Sequence, residues 1–114
     1  MTLDTLRAIC LAHKGATEEL QWGEHLLFKV GGKMFCITNL NDANDTAFKV
    51  TDEDFECLPA LGIFIPAPHL QRAKWLKVIQ GDQIKLSEWR ERIATSYSLV
   101  KSKLPKKLQA ELAS

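Results

Sequence analysis

Long hydrophobic runs are missing from this chain: no apolar stretch approaches the ~20 residues that a helix needs to cross a bilayer. The opening residues, Met1-Thr2-Leu3-Asp4, lack the basic region, apolar core and cleavage site of a secretory leader. A cytoplasmic protein without a membrane partner is the expectation. Cysteine is scarce as well. Cys10, Cys36 and Cys57 are odd in number and far apart, which argues against a disulfide framework and for reduced, mostly buried thiols. No Cys-x-x-Cys pair occurs, and His13, His25 and His69 show no ligand spacing with one another. The Gly31-Gly32 pair lies in no strand-to-helix junction, so it is no phosphate loop. Together these gaps lead us to expect no catalytic residues, no metal ligands and no cofactor.

What is present is ordinary in bulk. The 114 residues are 46% hydrophobic and 25% charged, enough for one domain over residues 1–114 with a real core. The net charge of +1 hides a division. Residues 1–57 hold five Lys and Arg against ten Asp and Glu, a balance of −5, whereas residues 58–114 hold ten against four, a balance of +6. Such a split permits a local basic surface without demanding one.

Thr2 can cap a first helix to about Lys14, with Leu3, Leu6, Ile9, Cys10 and His13 at helical spacing. A short polar connection holding Glu18 and Glu19 follows. Residues 26–30 and 33–37 read as strands separated by two glycines, a tight hairpin turn. Simple pairing then sets Phe28 opposite Phe35 and Leu26 opposite Ile37, giving a core face of those four residues. The reverse face carries Leu27, Lys29, Met34 and Cys36. Residues 39–45 read as a polar turn and 46–50 as a strand with Thr46, Phe48 and Val50 on one side. Thr51 can cap a short helix closed by Pro59. Residues 63–65 read as a strand or extended loop and 74–80 as a further strand. Ser87 is expected to cap the longest helix, with Trp89, Ile93, Tyr97, Val100 and Leu104 as its apolar stripe. Pro105 can open a last short helix. The element order implies a two-layer α/β (α+β) sandwich, its antiparallel sheet packed on N- and C-terminal helices.

The most distinctive stretch is 66–78, a proline-stiffened loop that becomes a strand carrying Arg72, Lys74, Trp75 and Lys77, with no acidic residue until Asp82. This stretch, the hairpin after Phe28-Lys29-Val30, the Ser96-Tyr97 pair and Leu104-Pro105-Lys106-Lys107 occur in an order that resembles the MmcQ/YjbR family of small bacterial proteins. The likeness spans nearly the whole chain. It implies a frataxin-like (CyaY-like) fold and a DNA-binding role through a double-wing arrangement of hairpins, with no catalytic residues to carry over. Gln71-Arg72 stands where the family commonly has Asn-Lys, so polar and basic character is kept but the side chains differ.

Strand alternation puts Trp75 and Lys77 on one face and Leu76 and Val78 on the other. If the second pair enters the core, Trp75 and Lys77 join Lys29 and Lys49 on the open face, with Lys33, Arg72 and Lys74 at its rim. Lysines there neutralise phosphates while the indole stacks on a base. The competing reading makes Trp75 a packing residue and the lysines a solvated face. The cluster Lys101, Lys103, Lys106 and Lys107 reads as a helix end favoured by the macrodipole. Two further functions follow from the same residues: a protein-interaction module using Leu27, Met34 and Trp75, and weak metal binding of the kind the frataxin-like fold implies. For the latter the first helix offers only Asp4.

Overall fold

A computed structural model of the protein describes residues 1–113. Thr2 starts helix α1 (Leu3–Leu11) by accepting a hydrogen bond from the Thr5 amide at 3.2 Å. Strands β1 (Ala16–Gln21), β2 (His25–Val30), β3 (Lys33–Asn39) and β4 (Asp42–Lys49) follow as a meander. Helix α2 (Asp52–Cys57), β5 (Phe64–Pro66), β6 (Trp75–Val78), α3 (Leu86–Lys101) and α4 (Lys106–Ala113) complete the chain. The strands form one antiparallel sheet in the order β1-β2-β3-β4-β6-β5. An antiparallel α+β architecture is therefore what the chain adopts, and no helix among the described residues is long and apolar enough to cross a membrane.

One face of the sheet is covered by α1 and α3. Leu26, Phe28 and Val30 of β2, Phe48 of β4 and Leu76 and Val78 of β6 meet Leu6, Trp89, Ile93 and Tyr97 there. The rings interlock edge to face: Phe48 lies 6.2 Å from Phe64 and 6.5 Å from Trp89, and Phe35 5.6 Å from Tyr97. The apolar stripe of the long helix is buried as its spacing predicts, from Trp89 through Val100 to Leu104. Two buried threonines satisfy each other, Thr38 Oγ1 and Thr46 Oγ1 lying 2.8 Å apart, while the Thr46 hydroxyl donates to the Ala43 carbonyl at 2.6 Å.

Several sequence expectations change. The polar connection after α1 is a strand, β1; as a sheet edge it needs few apolar residues, so alternation gives no signal. The turn of residues 39–45 shrinks to Leu40 and Asn41, because Asp42–Lys49 is all strand. The hairpin register also differs. Phe28 pairs with Cys36, Lys29 with Met34 and Leu27 with Ile37, so Phe35 is the extra residue of a bulge. That insertion flips the faces beyond it. Cys36 enters the core with zero exposure, and Ile37 turns to the other side of the sheet. Cys10 and Cys36 are buried and free, and burial pushes the Cys36 thiol up, but Cys57 is exposed. Finally, α3 begins at Leu86, with Lys85 rather than Ser87 at its cap position.

The cap of α2 follows the sequence reading: Thr51 Oγ1 accepts from the Asp54 amide at 3.1 Å. Thr51→Ala is expected to lower the unfolding free energy by about 1 kcal/mol in denaturant titrations, whereas Thr51→Ser should leave it nearly unchanged.

Candidate nucleic-acid interface

Antiparallel pairing brings distant segments to the same end of the sheet. β4 leaves at Lys49, beside which β6 enters at Trp75, and the Val50 amide donates to the Lys74 carbonyl at 2.9 Å. The tip of the β2–β3 hairpin, with Lys33, lies at that end too, because β3 runs antiparallel to β4. Residues after α3 close over the tip: a Cβ on Gly31 would lie 2.7 Å from Leu104 Cδ1, which places Lys103 next to the hairpin. Four separate segments therefore deliver Lys33, Lys49, Arg72 with Lys74, and Lys103 to one end.

The local chemistry separates these residues from the remaining candidates. Lys33, Arg72 and Lys103 are exposed, and none of the five forms a salt bridge among the described residues. Lys49 donates to the Ala73 carbonyl at 2.6 Å, tying the 67–74 loop to β4. Burial holds the Lys49 ammonium below its ordinary value, and the neighbouring Lys103 charge pushes the same way against Asp52. Lys74 lies over the Phe55 ring at 4.9 Å, a cation–π contact that leaves its charge unpaired. By contrast, Lys29 is paired with Glu19, whose carboxyl it holds below the usual range. Lys77 is paired with Asp45 at 3.1 Å, toward the other end of the sheet. Those two cations are already neutralised.

Trp75 does not face solvent. Alternation is as expected, with Leu76 and Val78 in the main core and Trp75 on the opposite face. That face is not bare, however. The 67–74 loop folds across it, and Trp75, 4% exposed, packs with Ala47 and Ala67 under Met34, Ile37 and Leu70. The indole cannot serve as a stacking platform. Of the other side chains expected to meet a protein partner, Leu27 is 3% exposed and Met34 packs on the Trp75 cluster. The loop is held by hydrogen bonds from the Ala67 amide to the Trp75 carbonyl and from the Trp75 amide to the Leu70 carbonyl, at 3.0 and 3.3 Å. Its backbone takes positive φ at His69 and Lys74, a conformation uncommon outside glycine and one that lysine in particular does not signal.

No three His, Cys, Asp or Glu side chains among the described residues converge as metal ligands. Lys103, which reads in the sequence only as part of a solvated helix end, joins the cationic set. The signal for it is weak: Leu104 must find an apolar seat, and the hairpin glycines supply one.

Comparison with known proteins bears on the family and the fold. No curated protein matches the chain. Among solved structures, protein DR2400 of Deinococcus radiodurans, with its domain DUF419, superimposes with a TM-score of 0.87 at 27% sequence identity; the match covers 98% of this chain and 88% of that one. The YjbR family model matches residues 11–99, which takes in the hairpin, the 67–74 loop and most of α3. With most of the chain covered by that match, the protein belongs to the YjbR family.

Proposed function

We propose that the protein is a non-catalytic DNA-binding protein that grips phosphates, without base readout, at the hairpin-tip end of its sheet. The observation that carries this reading is the delivery of five cations by four chain segments to one end with no salt bridge among them. Bringing like charges together costs free energy; burial first, and then the neighbouring Lys103 charge, hold the Lys49 ammonium down, and a polyanion offsets the like-charge part of that cost. Asp52 and Glu53 of α2 border the same end and limit how far the phosphate track extends past Lys49. A stacking aromatic plays no part, because Trp75 is enclosed.

Fluorescence anisotropy with a labelled duplex and a labelled single strand, repeated over a range of salt, tests this. With four or five phosphates neutralised, log K should fall against log salt with a slope of about −4 on duplex. Lys33→Ala and Lys103→Ala should each make the slope shallower by about 1. Lys77→Ala should leave it unchanged, since that ammonium is spent on Asp45. Absence of binding at low salt defeats the proposal, and so does a Lys77→Ala effect as large as that of Lys103→Ala.

A further inference from the structure

The other end of the same sheet face holds a second feature that the cationic end does not explain. A cleft of about 210 Å³ opens there, floored by Ile37, Ala47, Ala67 and Leu70 and rimmed by His25, Asp45 and Lys77. Two of its surroundings are anomalous. His25 Nδ1 is buried and has no hydrogen-bond partner among the described residues, which is unfavourable for a polar atom. Beside it stands Trp22, its ring 5.9 Å from the His25 ring and edge-on to it. Trp22, outside the cleft lining, is 71% exposed and sits at φ 53, a backbone conformation unfavourable for a bulky residue. The apolar floor, the ion pair at the rim and the unpartnered ring nitrogen of a lining histidine together suit the cleft to an occupant.

We propose that this cleft binds a free α-amino acid with an apolar side chain. The charge arrangement selects that class. Lys77 and Asp45 face each other at 3.1 Å, both about a third exposed, so the rim is neutral but strongly dipolar. A zwitterion exchanges partner for partner: its carboxylate takes Lys77 and its ammonium takes Asp45. No charge is left uncompensated. A carboxylic acid lacking the amine strands Asp45, and an amine lacking the carboxylate strands Lys77, each with a penalty for an unpaired charge. The apolar floor accepts the side chain, and the volume lies below the roughly 300–1,000 Å³ of sites for drug-sized ligands, which excludes a nucleotide. This site is separate from the cationic end and does not depend on the nucleic-acid reading.

Titration of the full chain with leucine, isoleucine and phenylalanine, followed by amide and indole NMR shifts, tests the assignment. Saturable shifts at Ile37, Ala47, Ala67 and Leu70 are expected for at least one amino acid. 4-Methylpentanoate and 3-methylbutylamine, which keep leucine's apolar part but one charge each, should bind at least about tenfold more weakly. Asp45→Asn and Lys77→Met should weaken the amino acid to a similar degree, while Lys33→Ala at the opposite end should leave it unchanged. The analogue comparison requires no substitution, so it decides even where a variant folds poorly. No saturable shift at about 10 mM for any of the three amino acids overturns the proposal. Equal binding of the single-charge analogues overturns it as well.

Discussion

Trp75→Ala is expected to lower the unfolding free energy by about 3–5 kcal/mol, as for other enclosed aromatics. Trp75→Phe should cost distinctly less and leave DNA affinity where it was. The reason lies in the small cluster that Trp75 organises on the open face. Ala47 and Ala67 contribute little area of their own, so the indole supplies most of the apolar surface that holds the 67–74 loop down. Losing it leaves a cavity under the loop and weakens the tether between Lys49 and the Ala73 carbonyl. Denaturant unfolding of the two variants measures the packing role, and anisotropy on folded Trp75→Phe isolates the indole from the loop. A tenfold loss of affinity in a well-folded Trp75→Phe protein would mean that the ring meets nucleic acid, contrary to its 4% exposure.

The second large effect is expected at the hairpin tip, where two adjacent glycines behave differently. Gly31 and Gly32 both have positive φ, at 57 and 81, as a two-residue hairpin turn requires. A side chain at Gly32 meets nothing within 4 Å, so Gly32→Ala should cost only the left-handed backbone term, about 1–2 kcal/mol. A Cβ at Gly31 collides with both methyl carbons of Leu104, at 2.7 and 2.9 Å. Gly31→Val therefore adds an overpacking cost of about 1–3 kcal/mol to the backbone term. It should also push Leu104, and Lys103 with it, away from the hairpin. Thermal and denaturant unfolding rank the two variants, and the salt slope of DNA binding reports the displacement of Lys103. If Gly32→Ala proves as damaging as Gly31→Val, the Leu104 contact is not what matters there.

These two sites show where sequence reading succeeds and where it stops. The turn at Gly31-Gly32, the Thr51 cap, the alternation of β6 and the stripe from Trp89 to Leu104 are all visible in the residues themselves. The bulge at Phe35 is not, because a strand with one extra residue has the same composition as one without it. Strand β1 escapes for a related reason: an edge strand is polar and carries no alternating apolar set. His25 shows no ligand spacing along the chain, yet folding sets it with Asp45 and Lys77 around one cleft.

The candidate interface divides along the same line. Capping, glycine turns and strand alternation act over a few neighbouring residues, and so the residues alone settle the Gly31-Gly32 turn, the Thr51 cap and the opposite facing of Trp75 and Leu76. Charge pairing and burial involve partners far away in the chain. Glu19 and Asp45 neutralise Lys29 and Lys77 through pairings ten and thirty-two residues apart, while Lys103 arrives beside Lys49 from the far end of α3. Likewise the 67–74 loop, by folding back, encloses an indole that alternation alone leaves facing outward. Which cations stay free and which aromatic stays exposed is a property of the folded chain, because desolvation and Coulomb interactions depend on distance in space and not on position in the sequence.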